Sequence, residues 1–154
     1  MPIHDAHVFD IARVIQLAIA PVFMLTAIGA ILNALLGRLA RAIDRRRVVE
    51  GMLPKADGTE RGEYLEEHEH LDRRIRLVLW SIALSVLSAL LICLLIGGAF
   101  VGAYIATDIS SMVAILFFAS VVALTGSLLV FLREVLLAAV SLHLEVRVKG
   151  DESP

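Results

Sequence analysis

The densest titratable group in this chain is Glu66, Glu67, His68, Glu69 and His70. Carboxylates and imidazoles in one stretch suit acid–base work or a divalent cation. Spacing narrows that choice. On a helix of 3.6 residues per turn, positions 68 and 70 point about 200° apart, so the two histidines cannot bind one ion. Glu63, Glu67 and His70 do share a face, which makes either a weak divalent site or a solvated, dipole-favoured surface. His4 and His7 have a ligating i, i+3 spacing, but in a short polar tail with only Asp5 and Asp10 beside them. The one cysteine, Cys93, has no cysteine to pair with and reads as a small buried hydrophobe. Glycine-rich phosphate loops and the zinc-protease helix motif are absent. No metal or cofactor is therefore expected, and a non-enzymatic role leads.

A second constellation is more distinctive. Arg38, Arg41, Asp44, Arg45, Arg46 and Arg47 follow directly on an apolar run over residues 14–37. Arginines at such a boundary set orientation and also attract anionic lipid headgroups, at about 1 kcal/mol each near the surface. Anionic lipid is the expected partner. Nucleic acid is not, because the acids of the same loop nearly cancel the bases and aromatic platforms are missing.

The elements that carry these residues follow from hydropathy. The chain has 154 residues and is 58% hydrophobic, which is too apolar for an ordinary soluble domain. The apolar residues fall in three blocks, and a membrane span needs about 20 residues at 1.5 Å each. Spans are expected at about 14–37, 77–104 and 110–132. The formal charge of −2 hides a segregation: ten of the 14 Lys and Arg lie between residues 38 and 76. The positive-inside rule then places the N-terminus outside, residues 38–76 in the cytoplasm, and the C-terminus in the cytoplasm. An acidic start and arginines right after the first block favour an uncleaved span over a signal peptide.

Residues 38–76 read as a cytoplasmic antiparallel helical hairpin continuous with the first two spans. Leu35, Leu39, Ala42, Ile43 and Val49 prolong the first helix, residues 51–58 turn the chain, and Tyr64, His68, Leu71 and Ile75 give the second arm a 4-3-4 seam. The acids that open the second arm should lie near Asp44–Arg47 of the first. Residues 133–148 read as a further helix on the membrane surface or against the hairpin. The fold class is thus all-α: an integral membrane three-helix protein in one domain.

Inside the spans the polar residues are few. The first holds Pro21, and then Gly29, Asn33 and Gly37 at four-residue intervals, flanked by Ala30 and Ala34. Small residues at this spacing let helices approach closely, and Asn33 wants an interhelical hydrogen bond. Packing within a three-helix bundle, self-association and a pore lining are all open to this stripe. Ser81, Ser85 and Ser88 lie on one face of the second span as a candidate polar path, with hydroxyls bonded back to their helix or across to the level of Asn33. Gly97, Gly98 and Gly102 should loosen its outer end, while Trp80 and Tyr104 suit the two interfaces. Asp108 is a candidate cap for the third helix, and Ala119, Ala123 and Ser127 form another small-residue stripe. The span interiors lack Asp, Glu, Lys, Arg and His, which argues against a pump built from one copy.

The joined pattern of Pro21, Asn33, Arg38-Leu-Ala-Arg41 and Asp44-Arg45, with Arg73-Arg-Ile-Arg76 before the second span, resembles a family of small bacterial inner-membrane proteins known only as a domain of unknown function. The resemblance covers roughly residues 11–142. It implies three spans and a bacterial inner membrane, and it supplies no activity. The leading expectation is a self-associating membrane interaction or scaffold subunit, a homo-oligomer through the Gly29/Asn33/Gly37 face. An oligomeric channel or transporter component using Ser81, Ser85 and Ser88 is the second expectation. The third is a membrane enzyme acting through Arg38–Asp44 at headgroup level.

Overall fold

A computed structural model describes the backbone of residues 3–105 and 109–151, and side chains within residues 16–136 apart from Leu17, Lys55 and 106–108. The chain forms three long helices: α1 (Ile3–Met52), α2 (Thr59–Ile105) and α3 (Ser110–Asp151). No strand occurs among the described residues. Each helix contains a stretch long and apolar enough to cross a membrane. The polar start is helical from Ile3, so α1 is longer than the expected span and arm together. Asp108, the side chains of His4 and His7 and the side chains beyond Leu136 lie outside the described residues.

Proline and glycine make the one sharp turn in the basic segment. α1 stops at Met52, and a single 3-10 turn, Leu53–Lys55, has Pro54 near its start. Proline lacks the donor that an α-helix interior needs. Gly58 then takes φ +59°, a left-handed conformation that costs other residues free energy, and α2 begins at Thr59. Pro21 leaves α1 as a single element.

Contacts divide the chain into two compact units, Met1–Ala34 with Ala83–Gly126, and Leu35–Ile82 with Ser127–Pro154. In the first, α1 buries Pro21 and Ile28, α2 buries Ser85, Ser88, Ile92 and Leu95, and α3 buries Ser120 and Ala123. The Ser88 hydroxyl donates to the Ser120 carbonyl at 2.8 Å, and the Ser120 hydroxyl to the Phe117 carbonyl at 2.7 Å. Gly98 and Gly102 admit α3 closely: a Cβ on Gly98 would meet Met112 Cε at 2.7 Å, and one on Gly102 would run into Ile109. Gly98 and Gly102 therefore let the C-terminal end of α2 approach the start of α3, where a loosened end was expected. Cys93 is exposed, not buried as expected, because it lies one residue past the inward-facing Ile92.

In the second unit α1 buries Leu35 and Val49, and α2 buries Leu71, Ile75, Val78 and Ser81. Ser127 and Glu134 are their buried counterparts on α3. Along α1 the buried positions 21, 28, 35 and 49 keep a seven-residue spacing, as do 78, 85 and 92 on α2 and 120, 127 and 134 on α3. That period is the one helices adopt when packed side by side, knobs into holes.

Burial is inverted relative to a water-soluble protein. Five serines and a glutamate are completely or almost completely buried, while Phe23 (71%), Phe118 (72%), Leu94 and Ile115 stand exposed. Exposed apolar surface on this scale is unfavourable in water and favourable in hydrocarbon. The chain is a multi-pass membrane protein.

Candidate functional site

The most concentrated polar structure is a cluster that draws one residue from each helix, all within the second unit. Glu134 of α3 is turned inward with its side chain 2% exposed. Arg74 of α2 donates to Glu134 Oε1 from both Nε and Nη2, at 3.2 and 3.1 Å. Arg38 of α1 brings Nη1 to 3.2 Å from Glu134 Oε2, as a charge contact rather than a well-aligned hydrogen bond. The Arg38 guanidinium also lies over the Phe131 ring, 5.2 Å from its centroid. Such a stack is worth about 0.5–2 kcal/mol depending on solvation.

Below this cluster the two arms are held together by charge. Arg45 forms a two-pronged bond to Glu67, Nε to Oε1 at 2.7 Å and Nη2 to Oε2 at 3.0 Å. Those hydrogen bonds first, and the carboxylate charge second, raise the Arg45 pKa above its ordinary value. Arg46 Nε lies 3.0 Å from Glu50 and 3.2 Å from Asp72. His68 sits between the same two acids, 3.3 Å from Glu50 and 3.8 Å from Asp72. Glu67, His68 and Asp72 of the second arm thus meet Arg45, Arg46 and Glu50 of the first. The pairs are exposed, so each contributes only about 0–1 kcal/mol. Both carboxylate oxygens of Glu67 are engaged by Arg45. Among the described residues no group of three acidic, histidine or cysteine side chains could hold a metal.

The remaining expected site residues have other surroundings. Arg41 and Asp44 are exposed and pair with no described residue, Asp44 included with Arg41. Gly37 is half-buried, and a Cβ there would lie 3.7 Å from Arg41 Nη1. Gly29 and Asn33 are exposed, and a Cβ on Gly29 would meet nothing within 4 Å. The stripe is thus exposed at Gly29 and Asn33 and half-buried at Gly37.

The serines went the opposite way. Ser81 donates to the Ser127 carbonyl, and Ser127 returns a bond to the Ser81 carbonyl at 2.7 Å. Ser81 and Ser88 therefore bond across to α3, not back into α2 or to the level of Asn33. Ser85 is fully buried beside them. These hydroxyls join two helices of one chain.

Residues 18–144 match the model of a family described as protein of unknown function (DUF2721). The chain belongs to that family. The match takes in α2, most of α1 and α3, and every member of the Arg38–Arg74–Glu134 cluster. No curated protein and no solved structure matches the chain.

Glu134 is the residue that sequence reasoning passed over. It follows Arg133 just beyond the last apolar block, where a glutamate reads as a solvated surface residue. One signal was available: Glu134 continues the seven-residue series from Ser120 and Ser127.

Proposed function

We propose that this DUF2721 chain is a non-enzymatic membrane subunit that associates with a second copy of itself through the Gly29/Asn33 face of α1. One observation carries the reading: a primary amide and a bare glycine stand exposed on a membrane helix, and among the described residues nothing lies within 4 Å of a Cβ placed on the glycine and no side-chain hydrogen bond engages the amide. An amide facing hydrocarbon without a partner is costly. Ala30 and Ala34 are exposed beside them and keep the surface low enough for a second backbone to approach. An asparagine both donates and accepts, so it is its own complement. A twofold interface brings such a residue opposite its copy.

The same charge segregation supports the orientation. Ten of the 14 basic residues lie in residues 38–76, so the paired arms belong on the cytoplasmic side of a bacterial inner membrane. No contact in the structure favours a conducting path, since Ser81 and Ser88 spend their hydroxyls on α3.

Native mass spectrometry in mild detergent tests the reading. The chain should give a dimer or higher oligomer. Asn33→Leu should weaken it by about 0.6–2 kcal/mol, roughly 3- to 30-fold. Gly29→Leu should weaken it further without altering the helical content, because the site is open within the chain. Monomer alone for the unaltered chain, with no change in either variant, would exclude self-association through this face.

A further inference from the structure

The arginines of the second unit divide by whether a carboxylate holds them. Arg38 and Arg74 are turned onto Glu134, Arg45 onto Glu67, and Arg46 onto Glu50 and Asp72. Arg41, Arg73, Arg76 and Arg133 are exposed and have no acidic partner among the described residues. Their level along the helices is set by the cluster. Contacts of 3.2 and 3.1 Å put Arg38, Arg74 and Glu134 side by side. Arg41 lies three residues from Arg38, Arg73 and Arg76 lie within two of Arg74, and Arg133 adjoins Glu134. At 1.5 Å per residue all four fall within about 5 Å of that level along their helices. Inside the cluster itself, two guanidinium groups share one carboxylate.

We propose that this belt, built from all three helices, binds the phosphate of an anionic phospholipid headgroup. A guanidinium fork matches phosphate oxygens in charge and geometry. The belt also lies where the apolar blocks end: residue 37 precedes Arg38, residue 77 follows Arg76, and residue 132 precedes Arg133. Exposed Leu36, Leu79 and Leu132 adjoin it and offer an apolar surface to acyl chains, which a free phosphate ion has no use for. The site is not the basic run 38–47 as a whole. Arg45 and Arg46 are committed to the other arm, and Arg47 lies about 14 Å along α1 from Arg38.

Trp80 makes the site readable. It is the only tryptophan, it is 65% exposed, and it sits one helical turn from Arg76. The full chain is reconstituted in phosphatidylcholine vesicles that carry a minor fraction of brominated phosphatidylglycerol, or the same fraction of brominated phosphatidylcholine. The anionic quencher should dim Trp80 more strongly, and millimolar inorganic phosphate should leave that excess in place. Each arginine near an anionic surface favours the lipid by about fivefold. Arg76→Gln with Arg133→Gln should therefore lower the preference more than tenfold, while Arg45→Gln should preserve it. Equal quenching by the two lipids on the unaltered chain would overturn the proposal without recourse to any variant. So would a preference that survives the double substitution, or one that inorganic phosphate abolishes, which would assign the belt to a soluble anion.

Discussion

Replacing Glu134 by leucine, and separately replacing both of its arginines by leucine, should have unequal costs. The Glu134 side chain is 2% exposed, whereas Arg38 and Arg74 are 28% and 39% exposed. Removing one side of a buried ion pair costs about 3–5 kcal/mol when the remaining charge is trapped. With Arg38→Leu and Arg74→Leu together, the Glu134 carboxylate is trapped, and the full penalty of about 3–5 kcal/mol applies. With Glu134→Leu, the two arginines keep partial access to solvent and can swing their heads outward on long stems. That cost should be only about 1–2 kcal/mol. Substituting all three by leucine removes every buried charge and should return stability to within about 1 kcal/mol of the unaltered chain, as apolar replacements of buried ion networks do. The assay is reversible SDS titration in mixed micelles, followed by Trp80 fluorescence. Equal losses for the glutamate variant and the double arginine variant would refute this account of the cluster. A triple variant that simply sums the two losses would refute it as well.

Further outcomes follow from the helix contacts and the turn. Ser81→Ala should cost about 0.6–1.7 kcal/mol in the same titration, and a double-mutant cycle with Ser127→Ala should show positive coupling, since each hydroxyl donates to the other residue's carbonyl. Gly58→Ala should destabilise the turn between the arms by about 1 kcal/mol, seen as faster proteolysis after residues 53–58, because φ +59° is unfavourable for alanine. Gly58→Asn should lose less than Gly58→Ala.

The three helices and the turn between the arms were legible because they depend on local features. Long apolar blocks, Pro54 and Gly58 act within a few residues of themselves. The seam of Tyr64, His68, Leu71 and Ile75 could be read for the same reason, and its last two members are buried. Which face of a membrane helix turns inward is a different problem. In water the apolar face goes inside, but in lipid every face is apolar and small polar residues mark close contacts of either kind. The small stripe on α1 thus faces out at Gly29 and Asn33, while the serines of α2 and Ser127 on α3 face in. Glu134 depended on a register among three helices that sequence spacing leaves open. Arg38 was visible as a candidate, but its partner, 96 residues on, was not.

The most direct measurement of self-association is oxidative crosslinking in native membranes. Gly29→Cys is made in a Cys93→Ser background and treated with copper phenanthroline, with Phe118→Cys in the same background as an exposed position off the proposed face. A disulfide needs Cα atoms within about 7 Å, a distance that only a close, small-residue contact allows. The account predicts a disulfide dimer from Gly29→Cys and little or none from Phe118→Cys. Monomer from Gly29→Cys beside efficient dimer from Phe118→Cys would contradict it.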